Sequence, residues 1–197
     1  MPGLVRRACS GSPIVRQRQK VVPQATGRVL EVGIGSGYNL PFYDASRVTS
    51  VVGLDPTEAL TVDARIMVEA VAFGVEIISG SAEAIPADAG SFDTVLVTWT
   101  LCTIPDVEAA LAEVRRVLAP GGRLVFAEHG KAPDRSVQWM QDLLNPVWSR
   151  MSGGCNLNRP MPGLIERAGF ELERVEAMYL PGPRWLNYHV WGSAFTP

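Results

Sequence analysis

The stretch Arg28-Val29-Leu30-Glu31-Val32-Gly33-Ile34-Gly35-Ser36-Gly37 decides how this chain is read. A strand-like apolar run passes through Glu31 into three alternating glycines. Glycine lets the backbone turn sharply and approach a ligand without interference from a Cβ. In doubly wound α/β proteins such a turn follows the first strand and faces the ligand crevice. The dinucleotide version is spaced G-x-G-x-x-G, with its third glycine where helix and strand pack closely. Here Tyr38 stands at that place, and the third glycine comes one residue early. Glu31, two residues before the first glycine, is a poor neighbour for a pyrophosphate and a good one for a cationic ligand.

Working outward, Ser50-Val51-Val52-Gly53-Leu54 reads as a second strand, closed by Asp55 24 residues beyond Glu31. An acid at that place can accept hydrogen bonds from both hydroxyls of a ribose. Further strands are expected at 75–79, 93–97 and 123–128, alternating with helices as a parallel sheet requires. The clearest helix follows Asp106 as N-cap, with Val107, Ala110, Leu111, Val114 and Leu118 at helical spacing before Pro120-Gly121-Gly122. A second helix is expected over 57–73. Beyond residue 130 the pattern changes to a helix over 136–151, a short one near 161–168, and two closing strands at 170–176 and 188–195.

The 197 residues carry a net charge of −2 and are 47% hydrophobic, which fits one domain with a substantial core and argues against a nucleic-acid backbone as partner. No apolar run reaches the roughly 18–20 residues that span a membrane. Arg6 and Arg7 lack the apolar stretch that a cleaved signal peptide would need. Cys9, Cys102 and Cys155 match no ligand spacing and contain no C-x-x-C pair, so a reducing cytoplasm and no metal are expected. Arg6, Arg7, Arg16, Arg18, Lys20 and Arg28 all precede the first acid. Such a segment is a solvated basic helix on the domain edge or a weak electrostatic contact with an anionic membrane surface. Gly11 and Pro13 are expected to break any long amphipathic helix there.

The pattern E-x-G-x-G-x-G resembles the nucleoside loop of class I S-adenosylmethionine (SAM)-dependent methyltransferases. Gly80-Ser81-Ala82-Glu83-Ala84-Ile85-Pro86 is similar to their adenine-side motif, Phe92-Asp93-Thr94-Val95 to the strand that follows, and Arg115 to Gly122 to the turn before strand five. A narrower resemblance runs through Asn39-Leu40-Pro41-Phe42-Tyr43, Leu101-Cys102, Glu128-His129, Asn145-Pro146-Val147-Trp148 and Gly154 to Arg159. These are similar to alkyl thiol S-methyltransferases and their bacterial relatives.

The resemblance implies an α/β, Rossmann-like doubly wound sheet of seven strands. It is mainly parallel, with order 3-2-1-4-5-7-6 and a C-terminal antiparallel hairpin. It implies a methyltransferase domain over 27–197, with the basic segment 1–26 packed on it. The implied cofactor is SAM. Glu31 then lies on the methionine amino side, Asp55 on the ribose, Pro56 on the adenine face, Ala82 beside adenine and Thr98 near the methionine. Gly33, Gly35, Gly37, Asn39, Ser81 and Glu83 complete the expected cofactor site, with the Ser81 hydroxyl where the family often has an acid.

Methyl transfer is an in-line displacement, so holding the nucleophile against the methyl group is the protein's main task. His129, ending strand five, is the candidate general base. Cys102 is read as lining the acceptor pocket or as buried, and Cys155 as exposed or as packing a turn. Trp139, Trp148, Trp185 and Tyr188 are candidate walls of a lipophilic pocket or core residues. The expected reaction methylates a small lipophilic acceptor, a thiol first. A phospholipid amine or quinol-like ring is the alternative, and a non-catalytic SAM-binding module the third.

Overall fold

The structure, a computed structural model, describes residues 11–197. Arg6, Arg7 and Cys9 therefore lie outside the described residues. A single sheet has the order β3-β2-β1-β4-β5-β7-β6. Its strands are β1 (Gly27–Val32), β2 (Val48–Asp55), β3 (Gly74–Ser79), β4 (Phe92–Thr98), β5 (Leu118–His129), β6 (Glu171–Tyr179) and β7 (Tyr188–Phe195). The first five pair in parallel, and β7 runs antiparallel between β5 and β6.

Alternation along the strands explains the two buried faces. Leu30, Val52, Val95, Val97, Leu124 and Phe126 enter one core, whereas Val29, Val51, Leu96, Val125 and Ala127 enter the other. Strands with both sides covered read as continuous Val/Leu runs, as these do. Among the described residues the α-helices are α1 (Ser12–Val21), α2 (Glu58–Val68), α3 (Val107–Val117), α4 (Arg135–Met151) and α5 (Met161–Arg167). Asp106 caps α3 by accepting from the Ala109 N–H at 3.0 Å. One face of α3 (Val107, Ala110, Leu111, Val114 and Val117) fills the first core beside Met161, Leu164 and Ile165 of α5.

Several boundaries differ from expectation for local reasons. Helix α2 stops at Val68 rather than 73, and Phe73 instead packs edge-on against Tyr43, their ring centroids 5.7 Å apart. Strand β6 extends to Tyr179, held by pairing with β7 as far as Tyr188. Gly11 and Pro13 stand at the start of α1, and the basic segment forms a helix of ten residues there. Gly11 is the N-cap of α1 and Pro13 sits in its first turn, where no intrahelical N–H is needed. Val21, Val22 and Ala25 anchor that segment in the second core. Among the described residues no helix is long and apolar enough to cross a membrane.

Candidate active site

A cavity of about 680 Å³ opens where β1, β2 and β4 end, on the crevice side of the sheet. Ten of the expected residues line it: Glu31, Gly33, Gly35, Asn39, Asp55, Pro56, Ser81, Ala82, Glu83 and Thr98. The glycine turn owes its shape to the space available. Gly33 has φ +77°, and a Cβ there would lie 2.2 Å from Thr100 Oγ1. Gly35 presents its N–H to Asp55 Oδ2 at 3.0 Å, and Thr57 N–H donates to Asp55 Oδ1 at 2.8 Å. Asp55 thus fastens the end of β2 to the glycine turn.

Gly37 is different. It does not line the cavity: at φ +75° its missing Cβ makes room for Ala64 of α2, whose Cα would be 3.0 Å away. Its role in this structure is packing.

Glu31 is buried and forms the polar floor. Its two oxygens accept from Asn39 Nδ2 at 2.9 Å and from the Tyr43 hydroxyl at 2.7 Å. Burial pushes its pKa up from 4.5 to about 7, against the lowering pull of Tyr43, Asn39 and Arg18. The Tyr43 hydroxyl is in turn pushed up by burial and by Glu31. Asn39 also donates to Thr98 Oγ1 at 2.9 Å and accepts from Arg18 Nε at 2.9 Å.

Arg18 was not among the expected site residues, and it corrects the reading of the basic segment. It is 5% exposed, lines the cavity, and lies 4.9 Å from the Trp99 ring and 5.5 Å from Tyr38. It cannot serve a membrane surface. Arg16 is exposed, and Lys20 rests over Trp191 at 4.9 Å. Helix α1 delivers this cation, a link across 21 residues to Asn39 that no local motif announces. Trp99 was missed too. At φ +50° it is the one non-glycine residue with positive φ among those described. Such a conformation costs on the order of 1–3 kcal/mol and persists only where surrounding contacts impose it. Here its N–H donates to Ala127 O at 2.7 Å and its indole to His189 Nδ1 at 3.0 Å.

On the adenine side Ser81 and Glu83 engage each other. The serine hydroxyl donates to Glu83 Oε2 at 2.9 Å, and the other Glu83 oxygen accepts from Asp106 N–H at 2.8 Å. Ala82 is 8% exposed between them.

His129, Cys102 and Cys155 form a second cluster, behind the cavity rather than in its lining. The loops that carry the cysteines are clamped together. Asn156 N–H and Nδ2 donate to Cys102 O at 2.8 and 3.1 Å, and Arg159 donates to Leu101 O. Glu128 accepts from the N–H groups of Thr100, Leu101 and Cys102 at 2.7, 2.8 and 3.3 Å. Burial raises its pKa to about 7, although those bonds oppose the rise.

Cys155 lies 3.6 Å from Cys102 and 3.4 Å from His129 Nδ1. The bond from Cys102, more than the help of His129, holds Cys155 near pKa 5 against its burial. The same contact and burial push Cys102 up. His189 meets His129 edge-on with centroids 4.6 Å apart, and burial lowers its pKa to about 2, so it is neutral.

Cys155 is 6% exposed and belongs to the first core, so of its two readings the packing one agrees with the structure. Widely spaced cysteines do converge, so spacing alone was no ground for excluding a ligand cluster. None of the four candidate aromatics lines the cavity; Trp148, Trp185 and Tyr188 pack against the first core, as the alternative reading has it. Trp139 is 63% exposed, Trp148 and Trp185 pack edge-on at 5.8 Å, and Tyr188 packs at a tilt against Tyr179 at 5.0 Å.

Comparison with known proteins agrees with this geometry. Residues 30–126 match the family described as a methyltransferase domain. Human thiol S-methyltransferase TMT1A is 31% identical over 182 residues, which cover 87% of this chain and 72% of that protein. Demethylmenaquinone methyltransferase of Thermus thermophilus is 30% identical over 173 residues, covering 83% of this chain and 79% of that one. An S-adenosylmethionine-dependent methyltransferase from Mesorhizobium loti shares the fold, with TM-score 0.68 at 20% identity over 93% of this chain and 96% of that chain. With the sheet order, the glycine turn and the acid-lined cavity, these matches identify the chain as a member of the class I SAM-dependent methyltransferases, of the type that the thiol S-methyltransferases represent.

Proposed function

We propose that this methyltransferase acts on a small lipophilic thiol, with the cofactor held by residues of the cavity. Glu31 and Asn39 would take the methionine amino group, Arg18 its carboxylate, and Asp55 the ribose hydroxyls. Ala82 and Pro56 would flank the adenine. SAM supplies the activated methyl group. The residues of this chain hold it, exclude water and leave a neutral space for the acceptor.

The observation that carries the acceptor reading is the wall left over once those residues are assigned. One side of it is formed by Trp99, Thr100, Thr103, Ile104, Ser152 and Gly153 and carries no carboxylate; the remaining acid of the lining, Glu83, is engaged by the Ser81 hydroxyl and the Asp106 N–H. A neutral lipophilic acceptor fits that wall better than a phospholipid amine. A thiol of pKa near 8.5 needs little help to ionise, and its thiolate is a strong nucleophile. The resemblance to TMT1A supports the thiol. The demethylmenaquinone relative keeps a quinol ring as the second reading. His129 is left out as the acceptor's base, because its Nδ1 faces Cys155 and the ring lies outside the cavity lining. The free cysteines among the described residues, Cys102 and Cys155, suit the cytoplasm that we also propose.

A methyl-release assay over thiols, amines and quinols of matched shape tests the acceptor. Fastest turnover on the thiols is expected. Turnover on quinols or phospholipid amines with none on any thiol would overturn the thiol reading.

A further inference from the structure

Cys102, His129 and Cys155 come from the loop after β4, the end of β5 and the loop after α4, yet their ligand atoms all lie within 4.8 Å of one another. The distances have a definite chemical meaning. Tetrahedral zinc with bonds of about 2.3 Å to sulfur and about 2.05 Å to nitrogen places two sulfurs about 3.8 Å apart and sulfur and nitrogen about 3.6 Å apart. The corresponding separations are 3.6 Å for Cys155–Cys102 and 3.4 Å for Cys155–His129. We propose that Cys102, Cys155 and His129 form a site for one soft divalent cation of the Zn²⁺ class, with three protein ligands and a fourth position open.

Thiolate and imidazole donors select such an ion over magnesium or calcium, which take oxygen ligands. Two thiolates, a neutral imidazole and a divalent ion sum to zero charge, which a buried site can hold where a lone ion could not. The second shell is already built. Asn156 and Glu128 hold the Cys102 backbone from two sides. His189 braces the His129 ring. The indole N–H of Trp148 is buried with no hydrogen-bond partner and lies beside the Cys155 sulfur, a donor suited to a metal-bound thiolate. Thr100, Thr103, Ser152 and Gly153, which flank the two cysteines in sequence, line the cavity, so the ion would sit behind that wall. The proposal stands whatever the acceptor is. Binding displaces whatever proton the two cysteines still hold into solvent and changes no oxidation state.

The test uses the reduced, metal-free full chain, titrated with Zn²⁺ against a chromophoric chelator and with Co²⁺ as a spectroscopic probe. One ion per chain is expected, with the intense thiolate-to-cobalt absorption of a tetrahedral site. Second-shell changes already cost about 10–100-fold, so Cys102→Ser and Cys155→Ser should each weaken Zn²⁺ by more than about 100-fold. Calorimetric binding of S-adenosylhomocysteine shows whether each variant is folded. Retention of the ion in Cys9→Ser is expected; its loss there alone would place the ion elsewhere and overturn the assignment. The assignment also fails if reduced wild type takes up no ion, if bound cobalt lacks thiolate absorption, or if the serine variants bind as wild type does. Should a serine variant not fold, the wild-type cobalt spectrum decides.

Discussion

Replacing Glu31 with glutamine should stabilise the cofactor-free protein and cripple cofactor binding, and the two effects separate by pH. Burial holds the Glu31 carboxyl near pKa 7 rather than 4.5. Its folded pKa is raised, so the stability it contributes is full below about 4.5 and is lost as the pH rises through about 7. Each tenfold change in proton affinity is about 1.4 kcal/mol, so at pH 8 the ionised, unliganded carboxylate costs on the order of 3 kcal/mol. Glutamine keeps the shape and can still bond Asn39 and the Tyr43 hydroxyl, which Glu31 engages at 2.9 and 2.7 Å. For a chain of this length each kcal/mol moves Tm by roughly 2–4 °C, so Glu31→Gln should melt roughly 6–12 °C higher at pH 8 and little differently at pH 5. Glu128 also titrates near 7, but it is common to both proteins and cancels in the difference.

Cofactor affinity should move the other way. Losing a hydrogen bond to an ionised group costs about 1.5–3 kcal/mol, or roughly 10–150-fold in Kd at pH 8. Differential scanning fluorimetry across pH and calorimetry with SAM measure both effects. A variant that melts no higher at pH 8, or binds SAM as wild type does, would refute the placement of a buried anion under the methionine.

Asp55→Ala should weaken SAM by at least about tenfold through the lost ribose bonds. It should also loosen the glycine turn, whose Gly35 N–H it holds at 3.0 Å, and unchanged calorimetric affinity in a folded variant would remove the ribose role. Arg18→Met should lower both cofactor affinity and Tm, whereas the exposed Arg16→Met should change neither; equal behaviour of the two variants would contradict a cation buried in the site. Gly33→Ala combines a positive φ with a Cβ 2.2 Å from Thr100 Oγ1, so denaturant titration should show a loss of at least about 2 kcal/mol, and a loss below about 0.5 kcal/mol would contradict the crowding.

What the sequence made legible follows the range of the interactions. The Asp106 cap acts within three residues of itself, and the glycine turn and Asp55 each close a strand, so residue type and position at a strand end were enough to place them. The central strands were legible as continuous apolar runs, because both sides of each are covered. Arg18 was misread because a cation in a basic run carries no local mark of the carboxylate and aromatic rings that bury it. Gly37 was misassigned because a glycine that makes room for Ala64 looks the same in sequence as one that makes room for a ligand. The cysteines were misread for a related reason: Cys102 and Cys155 are 53 residues apart, and bonds from Asn156 and Arg159 bring their loops together. The stretches that resemble the thiol methyltransferases, Leu101-Cys102, Glu128-His129 and Gly154 to Arg159, prove to be neighbours in space. Pattern alone had left that relation unseen.

The most direct measurement is a crystal structure of the chain with S-adenosylhomocysteine. The account predicts both ribose hydroxyls on Asp55, the amino group against Glu31, the carboxylate facing Arg18, and the adenine between Pro56 and Ala82. A nucleoside bound elsewhere, or one whose ribose turns away from Asp55 while Arg18 faces solvent, would contradict it.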